Sequence, residues 1–124
     1  MTTVLIIEDD THIRKFMAIN LSMRGYQVVE ADGARRGLDQ LRKSRPDVVL
    51  LDIRMPEISG LDMLKIMTED LHIDVPVIIV TASHLNLIDD SFTGSQNVTD
   101  ILIKPLEPRM LVQAIDSAVR GRRH

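Results

Sequence analysis

Apolar and polar positions along the chain follow two alternating periods. Short continuous apolar runs, Val4-Leu5-Ile6-Ile7, Val48-Val49-Leu50-Leu51, Val77-Ile78-Ile79-Val80 and Ile101-Leu102-Ile103, predict strands at about 3–7, 48–52, 77–81 and 100–103, with a further strand-like run at about 27–31. Between them the spacing is helical. Thr11 is placed to cap a helix carrying Ile13, Met17 and Leu21 on one face, and Gly25 to end it. Ala34, Leu38 and Leu41 mark a second helix that stops before Pro46. Ser59 can cap a third with Leu61, Leu64 and Thr68 on one side. Pro108 suits the first turn of the last helix, with Leu111, Ala114, Ile115, Ala118 and Val119. The helical slot at 84–96 is rich in Ser, Thr, Asn and Gly, which predicts a short, irregular or mobile helix.

Five strand–helix units in alternation imply an α/β fold, a parallel sheet with helices on both faces. The middle strands are apolar throughout, as strands covered on both sides should be. In such sheets ligands bind beyond the carboxyl ends of the strands. At those ends stand Glu8, Asp9 and Asp10 after the first run, Asp52 after the third, Thr81 after the fourth and Lys104 after the last. Parallel pairing would bring these residues, far apart in sequence, to one edge.

Composition narrows the rest. The 124 residues suit one domain, here 1–120 followed by a basic tail at 121–124, and 44% hydrophobic with 27% charged residues is ordinary for a globular chain. A net charge of −3 gives no general reason to expect nucleic acid or a membrane surface. There is no cysteine, and the four histidines, His12, His72, His84 and His124, show no metal-ligand spacing. No apolar run approaches the roughly 20 residues of a membrane span, and Val4 follows the first methionine too closely for a signal peptide, so a cytoplasmic location is expected by default.

The chemistry expected of the edge follows from its charges. Each like-charged pair at ~4 Å costs about 1 kcal/mol in water and about 4 kcal/mol at an effective dielectric of 20. One ammonium, Lys104, does not balance Glu8, Asp9 and Asp52. A hard divalent cation would, and magnesium, with manganese as an alternative, binds one or two carboxylates while keeping water positions open for phosphate oxygens. A hydroxyl and an ammonium facing that metal make a cradle for a phosphoryl group, and a carboxylate can accept one as an aspartyl phosphate. Asp52, alone at its strand end, is the candidate nucleophile. Asp9 is the main metal-binding carboxylate, with Glu8 acting through water.

Four segments carry a family resemblance: Leu5-Ile6-Ile7-Glu8-Asp9-Asp10; Pro46 through Pro56 around Asp52, with Gly60; Val80-Thr81-Ala82; and Ile103-Lys104-Pro105. Together, in this order, they resemble the receiver domain of response regulators in two-component signalling, over essentially the whole chain. The resemblance implies a flavodoxin-like (βα)5 fold with strand order 2-1-3-4-5. It implies that Asp52 is the phospho-acceptor, that Glu8, Asp9, Asp52 and the backbone carbonyl of Arg54 surround magnesium, that Thr81, followed by Ala82, is the switch hydroxyl, and that Lys104 pairs with Asp52 and then with a phosphoryl oxygen. It also implies a cis Lys104–Pro105 bond. It further implies that Arg54 and Ser83 flank the phosphoryl group as rate tuners. The implied partners are a histidine kinase or histidine phosphotransfer protein and a downstream protein or output domain. No direct nucleic-acid or membrane contact is implied, and a dimer is left open. The implied activity is that of a signalling switch which catalyses only its own phosphorylation and dephosphorylation.

Plainer roles stand beside these. Asp52 or Thr81 alone would be a cap and Lys104 alone a surface lysine; Asp10 is either an outer-sphere helper or a helix cap. Gly60 could simply permit a turn. Met63, Met67 and Met110 are expected in the core, Phe16 and Tyr26 in packing, and Arg35-Arg36 and Arg42-Lys43 on a solvated helix surface. Two departures from the family stand out. Ile101 occupies the switch position three residues before Lys104, where an aromatic is usual, and 84–97 lacks the usual acidic helix and Gly-Ala-Asp turn. Intact chemistry with altered output is the resulting expectation. A pseudo-receiver is disfavoured by the complete set Glu8, Asp9, Asp52, Thr81 and Lys104. An aspartyl-phosphate phosphatase is disfavoured by Arg54 in place of a second acid, and dinucleotide binding by the lack of a Gly-rich turn.

Overall fold

Apolar runs become strands here almost residue for residue. The computed structural model describes residues 2–55, 58–82 and 97–122. In chain order the elements are β1 (Thr3–Ile7), α1 (Thr11–Met23), β2 (Gln27–Ala31), α2 (Ala34–Ser44), β3 (Val48–Asp52), α3 (Gly60–Lys65) running on into a π-helical turn (Ile66–Asp70), β4 (Val77–Thr81), β5 (Val98–Ile103) and α4 (Pro108–Arg122). The expectations for 84–96 and for Ser83 lie outside the described residues.

All pairings are parallel, and the sheet runs β2-β1-β3-β4-β5, the flavodoxin-like order. Successive side chains point to opposite faces, so each strand feeds two cores. Leu5, Ile7, Val49, Leu51, Val77 and Ile79 meet α2 and α3 through Leu41, Met63, Leu64 and Met67. Val4, Ile6, Val48, Leu50, Ile78 and Val80 meet α1 and α4 through Met17, Leu21, Leu111 and Ile115. β3 and β4, and β1 from Val4 onward, are covered on both sides, which is why their sequences show no polar alternation. Phe16 and Tyr26 pack at the margin of the second core as expected.

Several local expectations change. The N-cap of α1 is Asp10, whose carboxylate accepts from the Ile13 N–H at 3.0 Å; Thr11 is the first helical residue. That contact holds the Asp10 carboxyl below its usual range and gives Asp10 the cap role. Gly25, at φ 98°, does close α1, donating to Ser22 O at 3.0 Å. The buried side of α3 and its π-helical turn is Met63, Leu64 and Met67; Leu61 and Thr68 are only half-buried. Met110, at 53% exposure, is on the surface and not in the core. β5 starts two residues early because Val98-Thr99-Asp100 is the polar, partly exposed start of an edge strand, with a register shift opposite Val77 and Ile78. α4 continues to Arg122, taking Gly121 and Arg122 out of the expected tail. Arg36 and Lys43 do lie on a solvated face, each beside an aspartate four residues earlier.

Gly60 has a different role from the turn expected of it. A Cβ there would lie 2.6 Å from the Asp52 carbonyl oxygen and 2.7 Å from the Ile53 Cα, while its N–H donates to Ile53 O at 2.9 Å. The start of α3 rests directly on the backbone that follows β3, and only glycine allows that approach.

Candidate functional site

Register assembles the site. Ile7 pairs with Leu51 and Asp52 with Val80, so Glu8, one residue beyond β1, and Asp52, the last of β3, come side by side. Thr81 pairs with Ile103, and the Lys104 N–H donates to Thr81 O at 2.8 Å, which brings Lys104 to the same edge. Lys104 Nζ lies 2.9 Å from Glu8 Oε1 and 3.6 Å from Asp52 Oδ1. Carboxylate oxygens of Glu8, Asp9 and Asp52 all fall within 4.8 Å of one another. Glu8, Asp52 and Thr81 are buried, whereas Asp9 is exposed at the mouth. Arg54 is exposed, and its N–H donates to Asp52 Oδ1 at 3.2 Å. Ala82 is exposed just past Thr81, the Lys104–Pro105 bond is cis, and Ile101 is half-buried against the α2–α3 core.

Burial, reinforced by the neighbouring Asp52 and opposed by Lys104, pushes the Glu8 carboxyl up from 4.5 to about 8. Burial alone would lower the Lys104 ammonium, but its contacts with Glu8 and Asp52 outweigh that and raise it. A carboxyl raised in the fold holds its proton more tightly there than in the unfolded chain. Its contribution is therefore full below about pH 4.5 and is lost as pH rises through about 8. In chelator, wild-type stability should fall between about pH 5 and pH 9, by on the order of 2–3 kcal/mol. Glu8→Gln should flatten that fall in urea unfolding; equal slopes in the two proteins would contradict the assignment.

The donor set fits a hard divalent cation. Three carboxylates face one ammonium, and Glu8 Oε2 is buried with no hydrogen-bond partner among the described residues. Such an oxygen is costly unless something positive meets it. Glu8, Asp9 and Asp52 are the side chains that would hold the ion.

Two residues near the site carried no signal in the sequence pattern. Arg14, on α1, donates through Nη1 to Glu8 O at 2.9 Å and through Nε to Glu30 Oε1 at 3.1 Å. Nothing in a helical arginine and a strand glutamate sixteen residues apart announces that contact without the β1–β2 register.

The chain is similar to known proteins in sequence and in fold. The family model of the response regulator receiver domain matches residues 4–116. A probable transcriptional regulator, ycf27, of Guillardia theta is 37% identical over 118 residues, 94% of this chain and 45% of that protein. The phosphate regulon transcriptional regulatory protein PhoB of Pseudomonas aeruginosa is 32% identical, over 95% of this chain and 52% of that protein. The chain thus spans about half the length of the curated relatives it matches. Among solved structures, a CheY-like receiver domain protein from Methanospirillum hungatei superposes with a TM-score of 0.87 at 26% identity, covering 99% of this chain and 97% of that one. The chemotaxis protein CheY4 of Vibrio cholerae gives 0.85 at 25% identity, covering 95% and 98%. Among the described residues no helix is long and apolar enough to cross a membrane. With its strand order, its edge of acids and lysine and a family match over nearly its full length, the chain belongs to the response-regulator receiver domains, the signalling switches of two-component systems.

Proposed function

We propose that the chain accepts a phosphoryl group on Asp52 from a phosphohistidine of a kinase or phosphotransfer protein, in a magnesium-dependent reaction. One observation carries the reading: Asp52 sits buried at a strand end within 4.8 Å of two further carboxylates, with Lys104 Nζ 3.6 Å away. Magnesium held by Glu8, Asp9 and Asp52, with the Arg54 carbonyl as a further ligand, would neutralise the phosphoryl oxygens. Asp52 supplies the attacking oxygen; the new O–P bond forms as the P–N bond to imidazole breaks, its electron pair returning to the ring nitrogen. Lys104 moves its contact from Asp52 to a phosphoryl oxygen. Thr81, buried at the end of the adjacent strand, turns its hydroxyl to another, and this shift is what a partner reads. Arg54 and Ser83 tune the rate of hydrolysis. Apart from its own phosphorylation and dephosphorylation the domain catalyses nothing. We assign the role to residues 1–120, in the cytoplasm, with a downstream protein or output domain as the reader. The transcriptional role in the relatives' names belongs to proteins about twice this length.

The readout differs from the family's usual one. Ile101 is aliphatic, pairs with Ile79 and packs in the core, so it has no ring to turn when Thr81 moves. Beryllofluoride with magnesium, an analogue of the phosphoryl group, should shift the amide resonances of Asp52, Thr81 and Lys104 strongly and those of Val98 to Ile101 little. No shift at Asp52 would refute phosphoryl acceptance. Shifts running along all of β5 would refute the decoupling at Ile101 alone.

A further inference from the structure

We infer that Arg14 is a positioning residue for the acidic site, its guanidinium fixing the Glu8 backbone from which the Glu8 and Asp9 carboxylates project. The inference rests on the proposed reading of that site. Glu8 has just left β1, where the ladder no longer holds both its backbone groups. Its N–H still donates to Ala31 O at 3.1 Å. Its carbonyl is taken by Arg14 Nη1 at 2.9 Å, and the same guanidinium donates through Nε to Glu30 Oε1 at 3.1 Å. Neighbouring residues of β2, Glu30 and Ala31, therefore hold Glu8, one through Arg14 and one directly.

Arg14 is well placed to act as this anchor. Its own N–H donates to Asp10 O at 2.9 Å, one turn inside the capped start of α1, so the helix, the acidic turn and β2 are tied together. Its side chain is only 13% exposed, against 56% for Lys15, which reaches the other oxygen of Glu30 at 3.1 Å. A guanidinium can present two N–H groups to two acceptors at a fixed angle; an ammonium is a single point of charge. Lys15 therefore neutralises Glu30 without gripping Glu8. Ligand atoms must be held within about 0.5 Å to work, and loss of an outer partner of a metal ligand typically costs about 10–100-fold in metal affinity.

A staple that served only the fold would change the melting temperature and leave the folded site unaltered, so the test reads the site. Magnesium chloride is titrated into wild type, Arg14→Gln, Arg14→Lys and Lys15→Gln, following backbone amide shifts by NMR well below each melting temperature. Arg14→Gln should weaken magnesium about tenfold, and Arg14→Lys should recover stability without recovering affinity. Lys15→Gln should stay within about twofold of wild type, since it never touches Glu8. Wild-type affinity in folded Arg14→Gln, or in Arg14→Lys should the first not fold, would overturn the inference. Absence of magnesium binding in the wild type would overturn the reading of the site itself, and this inference with it.

Discussion

Asp52→Asn should make the protein more stable in chelator while removing the proposed phospho-acceptor. The wild-type edge gathers carboxylates of Glu8, Asp9 and Asp52 within 4.8 Å around one ammonium. Above about pH 8, where Glu8 is ionised, asparagine removes one negative charge, and with it two like-charge repulsions and one attraction to Lys104. Lys104 keeps its 2.9 Å contact with Glu8. The amide oxygen can still accept from the Arg54 N–H, as Asp52 Oδ1 does at 3.2 Å. The balance favours the variant by about 2 kcal/mol at an effective dielectric of 20, a rise in melting temperature of roughly 5 °C or more. Magnesium should reverse the order, because a cation bound only by the folded wild type adds stability by mass action. Thermal unfolding in chelator and in magnesium, at a pH above about 8, gives both comparisons. A variant less stable than wild type in chelator would show that the cluster is not under electrostatic strain.

Gly60→Ala should be the more damaging change, and for a steric reason. The added methyl would meet the Asp52 carbonyl oxygen at 2.6 Å and the Ile53 Cα at 2.7 Å, both backbone atoms that cannot rotate aside. Either α3 or the segment after β3 must move, and that segment directly follows Asp52, the proposed phospho-acceptor. Overpacking of this kind costs about 3 kcal/mol, or roughly 10 °C in melting temperature. Phosphoryl uptake should fall as well, since Asp52 itself is displaced. Gly37→Ala is the control. Its methyl would meet Ile7 Cδ1 at 2.8 Å and Met63 Cε at 2.9 Å, the ends of flexible side chains. There the better helix propensity of alanine, about 1 kcal/mol, offsets the adjustment. Equal losses for the two variants in urea unfolding would contradict this contrast.

How much of this was legible beforehand depended on the range over which each signal acts. β1, β2, β3 and β4 were bounded correctly because burial on both faces, or a turn residue at each end, leaves a local imprint. The edge residues Glu8, Asp9, Asp52 and Lys104 are legible as one group because each follows an apolar run and parallel strands end on one edge of the sheet, while the register decides which of them touch. Features set by register or by close approach were not visible. Gly60 looks like any loop glycine until the Asp52 carbonyl is seen against it. Arg14 looks like a helix-surface charge until Glu8 O is found 2.9 Å away. The choice between Asp10 and Thr11 as cap turned on one hydrogen bond, while Met63 and Met67 are in the core as expected and Thr68, inside the π-helical turn, is only half-buried. Glu8 gave no hint of its raised carboxyl, since its complete burial follows from packing and not from its neighbours in sequence.

Asp52 is the residue proposed to take up a phosphoryl group at this edge. Intact-mass measurement of the wild-type protein after incubation with acetyl phosphate and magnesium, followed by peptide mapping, tests that proposal most directly. A single base-labile phosphoryl adduct is expected on the peptide containing Asp52, absent in chelator and absent in Asp52→Asn. No adduct on the wild type, or an adduct that persists in Asp52→Asn, would contradict it.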